Sequence, residues 1–218
     1  DILTKVARKP IFLKRMPCVF PELNYLAGKA CDDVRLKQKT YGALLAVYWL
    51  VSNQAEAFTR GQMVDKRLSD KSWGIISGWT DSMLNEMDTL NTVFVTVVVC
   101  ALGKIPKFRS QLAPQAKSHQ DVMRHVLESC PTVLPSYMRL AEPCKKMVEE
   151  CLTCDFNFDQ FLNAENLPAN LTTIKECSKK LSDQFLSLYL FCIFAEMSGS
   201  AAQDDIEGAL YMNEERFT

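Results

Sequence analysis

The chain has 218 residues, of which 48% are hydrophobic and 23% are charged, and its formal net charge is −1. These proportions are those of a globular protein, and they exclude disordered, collagen-like and low-complexity chains. The near-zero net charge also argues against the strongly basic surface of most nucleic-acid-binding domains.

The first half of the chain predicts helices separated by loops. Residues 1–21 contain three prolines and no helical period, which predicts an extended, proline-containing lead-in. An apolar pattern with spacings of three and four residues begins at Tyr41, so we expect a helix over 41–58 with Thr40 as its N-cap. Residues 69–80 hold two glycines and two tryptophans, and we interpret them as a structured loop.

The second half predicts more apolar helices. Val93–Val99 has the composition of a strand, but no second convincing strand is available to pair with it, so we expect a buried helix across 81–103. Ser118 and Asp121 have the spacing of a capping box, which predicts the start of the next helix. The longest helix is expected over 173–197, because its second half is apolar on nearly all sides.

These elements predict a single all-α globular domain over residues 1–218, with about eight or nine helices around a long buried C-terminal helix. Residues 201–218 are acidic and are expected to form a last helix or a tail. The expected core residues lie on the three helices 41–58, 81–103 and 173–197, and they are Leu45, Tyr48, Phe94, Val98, Leu181, Phe185, Leu188 and Cys192.

Cysteine usage predicts the compartment. The nine cysteines cannot all pair within the chain, and several, such as Cys100 and Cys192, lie in apolar runs where a thiol packs like a small hydrophobe. We therefore expect reduced thiols in a cytoplasmic or nuclear protein. The apolar runs are shorter than the ~18 residues of a membrane-spanning helix, so we also expect a soluble chain without a membrane span.

Three cysteines are candidate metal ligands. At about 100° per residue, Cys144, Cys151 and Cys154 fall on one face of a helix, and three thiolates with a fourth ligand form a tetrahedral zinc site. Met147 and Val148 share this face, which favours core packing, and no second ligand pair follows at the spacing of a zinc finger. We therefore predict no metal and no cofactor, with zinc as the alternative.

The sequence contains no catalytic motif that would indicate an enzyme. It lacks the G-x-S-x-G and Walker A patterns, and its only histidines are His119 and His125. Trp73 and Trp79 are the candidates for lining a pocket, because each lies next to a glycine and has a large apolar ring. Packing of both rings onto the helices is the alternative that we favour.

Charge is distributed unevenly along the chain. Residues 101–140 carry a net charge of +4, whereas residues 181–218 carry −6. The predicted contacts to an anionic partner lie in the first of these segments, and they are Lys104, Lys107, Arg109 and Lys117. Two prolines in this stretch predict a surface loop from which the four side chains project. A solvated surface, or pairing with the acidic C-terminal segment, is the alternative.

We therefore expect an intracellular helical interaction or regulatory module that binds a protein partner, as part of a larger protein or assembly. An acidic protein surface is one such partner. The first alternative is a small-molecule-binding protein or an enzyme with a pocket near Trp73 and Trp79. The second is the binding of RNA or of a phosphate ligand through the basic segment 104–124, with nucleic acid disfavoured because the chain is not strongly basic.

Overall fold

The computed structural model describes residues 9–27, 31–154, 160, 165–180, 183–200 and 207–217. Every regular element in this part of the chain is helical, which confirms the predicted single all-α domain. The thirteen α-helices described are α1 Lys9–Val19, α2 Asn24–Ala27, α3 Val34–Val51, α4 Ala55–Thr59, α5 Asp70–Met83, α6 Met87–Leu102, α7 Pro106–Leu112, α8 His119–Ser129, α9 Pro135–Met138, α10 Glu142–Thr153, α11 Leu167–Lys180, α12 Asp183–Ser198 and α13 Glu214–Phe217. Three 3₁₀ turns supplement them, at Pro21–Leu23, Val64–Lys66 and Pro131–Val133.

The core is built around two apolar helices, α6 and α12. Helix α12 packs against α3 and α6, and α6 also packs against α3, α8 and α10. Every residue from 185 to 199 and from 92 to 102 is buried or half-buried. Helix α12 is therefore the buried C-terminal helix that the sequence predicts, and α6 is a second helix enclosed in the same way.

Helix α6 forms although its valine run has the composition of a strand. The Thr92 hydroxyl donates to the Asp88 carbonyl oxygen at 2.7 Å, and the Thr96 hydroxyl donates to the Thr92 carbonyl oxygen at 2.8 Å. These bonds satisfy two hydroxyls inside the helix itself. Burial of the valines then outweighs their weak helix propensity, and the helix predicted for Val93–Val99 is confirmed.

Most of the predicted core residues are buried. Leu45, Val98, Phe185, Leu188 and Cys192 all lie in the core. Tyr48 and Phe94 are half-buried and pack against it, whereas Leu181 lies outside the described residues.

The predicted bounds of all three core helices are wrong. The span 41–58 contains parts of α3 and α4, which are separated by residues 52–54, and the span 81–103 contains the end of α5 and all of α6. Helix α3 begins at Val34 rather than near 41, because the Asp33 carboxylate accepts the Leu36 N–H at 2.9 Å and caps the helix there. Thr40 instead lies inside α3, where its hydroxyl donates to the Leu36 carbonyl oxygen. The span 173–197 contains parts of two helices, α11 and α12, on either side of residues 181–182, which are not described. The longest described helix is therefore α3, with 18 residues, and not the predicted C-terminal helix.

The lead-in predicted to be extended over 1–21 is helical over most of the part that is described. Helix α1 covers Lys9–Val19, with Pro10 in its first turn, where the missing N–H has no partner in any case. Pro17 lies inside the helix, in its last turn. Met16 and Phe20, on either side of Pro17, are buried against the core, and this burial offsets the backbone bond that proline removes.

The segment 69–80, predicted to be a loop, forms most of helix α5. The Ser69 hydroxyl accepts the Ser72 N–H at 3.2 Å and caps the helix. Ile76 and Thr80 are buried one turn apart, so one face of α5 is anchored to the core. Capping and burial together outweigh the low helix propensity of Gly74 and Gly78.

Replacing Gly74 and Gly78 with alanine should stabilise the protein. Both glycines lie in the helix interior, and a Cβ at either position would meet no atom within 4 Å. Each substitution should raise the free energy of unfolding by about 0.5–1 kcal/mol, because alanine loses less backbone entropy on folding. Urea denaturation of the double variant measures the effect, and a lower midpoint than that of the parent would contradict it.

Residues 207–217 dock on α4 and on the segment that joins it to α5, and we call them the C-terminal clasp. The Ala209 N–H donates to the Phe58 carbonyl oxygen at 2.7 Å. The buried Gln62 side chain donates to the carbonyl oxygens of Ala209 and Met212, at 2.8 and 3.0 Å. Residues 201–218 are predicted to form a last helix or a tail, and within the clasp this segment forms only the one-turn helix α13. Residues 201–206 and 218 lie outside the described part.

A carboxylate of the clasp lies at the N-terminus of α5. Glu214 accepts hydrogen bonds from the Ser69 N–H at 2.8 Å, the Ser69 hydroxyl at 3.0 Å and the Ser72 hydroxyl at 2.8 Å. Beside it, the Lys66 ammonium and the Glu215 carboxylate form an ion pair at 2.6 Å. An anion at this position is favourable because the first N–H groups of a helix point outward and carry partial positive charge.

Acid should release the clasp. The backbone bond from Ser69, the Ser72 hydroxyl and the nearby Lys71 ammonium hold the pKa of Glu214 below its ordinary value. A carboxyl group with a lowered pKa in the folded state stabilises the fold above its ordinary pKa, and this contribution is lost as the pH falls through the lowered value. In ¹⁵N–¹H NMR spectra of the parent, the amide signals of 207–217 should therefore shift towards random-coil positions as the pH falls below the ordinary pKa of a glutamate side chain. Glu214→Gln should remove most of this pH dependence, and an unchanged profile would contradict the assignment.

Among the described residues, no single helix combines the length and the apolar character needed to cross a bilayer. One pair, α5 and α6, meets these criteria only when taken together, and the two helices are bent by 109° relative to each other.

Candidate anion-binding cleft

A cleft of about 540 Å³ opens where α6 ends, α7 begins and α8 begins. It is lined by Gly103, Lys104, Ile105, Pro106, Arg109, Ser110, Pro114 and His119. Two of the four basic residues predicted from the sequence, Lys104 and Arg109, therefore lie in its wall. The other two, Lys107 and Lys117, are exposed and lie outside the lining.

Helix α7 positions the basic side chains. Pro106 is its first residue, so the proline that predicts a loop in the sequence instead starts a helix. Ile105 and Phe108 are buried, and the Phe108 ring meets Tyr25 edge-on at 5.0 Å. This anchoring leaves Lys107 and Arg109 on the exposed side of a short helix rather than in the predicted surface loop.

The opposite wall is set by the start of α8. Ser118 and Asp121 form the predicted capping box. The Ser118 hydroxyl accepts the Asp121 N–H at 3.1 Å, and the Asp121 carboxylate accepts the Ser118 N–H at 3.2 Å. His119 is the first residue of α8, and its carbonyl oxygen lies 2.5 Å from where a Cβ on Gly103 would be. Only glycine permits this approach of α8 to the end of α6, so Gly103 determines how close the two walls come.

Lys104 is held by an ion pair within the protein. Its ammonium lies 3.2 Å from the Glu196 carboxylate of α12, and the Lys39 ammonium lies 3.9 Å from the same carboxylate. Burial opposes the charge on Lys104, but Glu196 and the neighbouring Cys100 outweigh it and raise the pKa of Lys104. Lys104 therefore pairs with the C-terminal part of the chain, which is the alternative to a partner contact that the sequence leaves open. The Lys39 and Lys104 ammonium groups therefore both lie beside the Glu196 carboxylate.

Arg109 carries a second positive charge into the cleft. One of its Nη groups donates to the Ala116 carbonyl oxygen, which orients the guanidinium along the chain between α7 and α8. A guanidinium has five donors in a planar arrangement, so donors beyond this bond remain for a ligand. None of the eight described lining residues is an aspartate or a glutamate. The charged side chains of the lining, Lys104 and Arg109, are therefore both positive.

Trp73 and Trp79, the candidates for a ligand pocket, pack on the core. The Trp73 ring lies 5.4 Å from the Phe58 ring, and its indole N–H donates to the Asn53 side-chain oxygen at 3.0 Å. The Trp79 ring lies 5.2 Å from Phe191 and 5.9 Å from Phe194 of α12. Both rings are half-buried, as in the packing alternative that the sequence favours.

Cys144, Cys151 and Cys154 are buried. A hydrogen bond with Cys192 and burial raise the pKa of Cys151 well above its usual value. Within the described residues, no three His, Cys, Asp or Glu side chains are grouped so that they could hold a metal ion. The structure therefore does not bring these cysteines together as a ligand set.

A family model matches residues 32–218, which include the cleft, α12 and the clasp. The chain belongs to DUF6829, a family of unknown function. No curated protein and no solved structure matches the chain. The function is therefore argued from the cleft itself.

Sequence reasoning identified the basic stretch but missed the residues that shape the cleft. Glu196 pairs with Lys104 across 92 positions of sequence, and no local pattern signals such a pair. The role of Gly103 cannot be predicted from the neighbouring residues in the chain either, because it depends on the approach of α8. Ser110 is not part of a recognisable sequence motif, so its place in the lining could not be predicted.

Proposed function

We propose that the protein is a helical interaction module that binds an acidic segment of a protein partner at the cleft between α6, α7 and α8. The observation that carries this proposal is the cationic lining: Lys104 and Arg109 face a concave surface with no carboxylate among its described lining residues. Lys107 and Lys117 are exposed close by in the chain and extend the positive field. Such a field steers and orients an anionic partner more than it adds raw affinity.

An acidic protein segment is favoured over nucleic acid and over a small ligand. Nucleic-acid binders present a basic stripe on a strongly basic domain, whereas this chain has a net charge of −1. The alternative of a small-molecule pocket or active site near Trp73 and Trp79 loses support, because both rings pack against aromatic core residues.

Charge removal tests the proposal, and the structure decides which charges to remove. Lys104 is retained because its ion pair with Glu196 joins α12 to the end of α6. The test variant replaces Lys107, Arg109 and Lys117 with alanine. The matched control replaces three exposed cations outside the cleft lining, Lys14, Arg67 and Lys146, with alanine.

Binding of a fluorescein-labelled deca-glutamate peptide is measured by anisotropy at low and physiological salt. Exposed ion pairs contribute about 0.2–1 kcal/mol each, so the test variant should bind about tenfold more weakly at low salt. The control should bind as the parent does, and salt should weaken the parent more than the test variant. Equal binding by the test variant and the parent would contradict the cleft as the site. Tighter binding of single-stranded RNA than of the peptide would assign the partner to nucleic acid.

We further propose that the protein works in a reducing compartment, the cytoplasm or nucleus. Five of its cysteines are buried, and no disulfide joins the eight whose side chains are described. Titration of free thiols in non-reducing denaturant should give all nine cysteines. A count of one would indicate four disulfides and a secreted protein.

A further inference from the structure

The N-cap of α5 is the point at which the C-terminal clasp is held. The Ser69 hydroxyl lies 3.0 Å from the Glu214 carboxylate, and the Ser69 N–H donates to the same group at 2.8 Å. The Ser72 hydroxyl completes the set at 2.8 Å. Ser69 therefore caps α5 and also binds the side-chain carboxylate of Glu214 in the clasp.

Two basic residues stand shortly before Ser69, the half-exposed Lys66 and the exposed Arg67. Lys66 and Arg67 precede Ser69 by three and two positions, an arrangement of charge complementary to the acidic substrate groove of basophilic serine kinases. The same stretch has two exposed apolar side chains, with Met63 60% and Val64 87% accessible. The Lys66 ammonium pairs with the Glu215 carboxylate of the clasp, so a release of the clasp would free it.

We propose that Ser69 is a phosphorylation site and that its phosphorylation opens the C-terminal clasp. In this step the Ser69 oxygen attacks the γ-phosphorus of ATP, and the bond to the ADP oxygen breaks. The serine proton passes to the catalytic base of the kinase, and ADP leaves.

The effect on the clasp follows from charge. A phosphoserine carries about 1.5–2 negative charges at neutral pH, and here they would lie beside the Glu214 carboxylate. The phosphate oxygens also compete for the Ser72 hydroxyl and the first N–H groups of α5, which an anion of higher charge binds more strongly. Glu214 therefore loses hydrogen-bond partners and is repelled by the phosphate at the start of α5. Lys66 then pairs with the phosphate instead of with Glu215.

Closure of the clasp also limits access of a kinase to the site. Leu68 is buried and its N–H donates to the Gln62 side chain, which in turn holds the clasp. The segment around Ser69 must loosen before it enters a kinase active site. Phosphorylation should therefore be faster when the clasp is weakened, a dependence that a motif in a free loop would not show.

The test uses the full chain, a basophilic serine kinase and ATP with magnesium. Tandem mass spectrometry should locate phosphate on Ser69, and Ser69→Ala should remove it while Ser72→Ala retains it. Glu214→Ala should raise the initial rate several-fold, and Arg67→Ala should lower it. Hydrogen exchange of peptides covering 207–217 should become at least tenfold faster in the phosphorylated protein, while α6 and α12 stay protected.

Three results would overturn the proposal. The first is the absence of phosphate on Ser69 in both the parent and Glu214→Ala. The second is phosphate on Ser69 with unchanged exchange over 207–217. Exchange that rises equally in α6 and α12 would show general unfolding and would also count against a local switch.

Discussion

Replacing Phe58 with alanine should lower the free energy of unfolding by about 3–5 kcal/mol, because it removes a fully buried aromatic ring and leaves a cavity. The Phe58 ring lies 5.4 Å from Trp73, and 6.5 Å from both Trp49 and Phe194. These contacts join α3, α4, α5 and α12 in one aromatic cluster, so its loss should affect the whole domain. Denaturant unfolding followed by tryptophan fluorescence and by circular dichroism measures the change.

Two variants test whether the effect comes from burial. Phe58→Leu retains most of the apolar volume and should lose less than half as much stability. Ile75→Ala truncates an apolar side chain that is 56% exposed, and should stay within about 0.5 kcal/mol of the parent. A Phe58→Ala protein as stable as Ile75→Ala would contradict the packing described here.

Gly199→Ala should have the second-largest effect, a loss of about 3 kcal/mol. A Cβ on Gly199 would lie 2.2 Å from the Lys39 carbonyl oxygen and 2.6 Å from the Ala43 nitrogen. Both are backbone atoms of α3, so the clash is relieved only if α3 and the end of α12 move apart. Thermal and urea unfolding report the loss.

The same substitution at Gly74 serves as the control, because its Cβ would meet no atom within 4 Å. The two alanines should therefore change stability in opposite directions. A Gly199→Ala variant as stable as the parent would show that α3 and α12 are not in close contact.

Sequence reasoning predicted the fold class because its signals are local. The capping box at Ser118 and Asp121 depends on residues three apart, and the apolar second half of α12 predicts burial whatever its neighbours are. The sequence does not reveal helices α5 and α1, because the glycines and prolines that disfavour them are local signals, whereas the burial that opposes them is tertiary. Ile76 in α5 and Met16 in α1 supply that burial.

Only part of the candidate site could be predicted from the sequence, because the rest depends on tertiary contacts. The clustering of Lys104 and Arg109 is visible along the chain, whereas the cleft arises only when α8 approaches Gly103. The clasp depends on contacts still further apart, since Ser69 and Glu214 are 145 positions apart. No periodicity or propensity encodes such a pair.

The most direct test of the cleft as a binding site is a ¹⁵N–¹H NMR titration of the full chain with deca-glutamate at low salt. Chemical-shift changes should be concentrated on residues 103–119, including the Arg109 side chain, and should disappear at high salt. The variant lacking Lys107, Arg109 and Lys117 should show much smaller changes at the same peptide concentration. Saturable shifts centred on another surface, with residues 103–119 unaffected, would contradict the account.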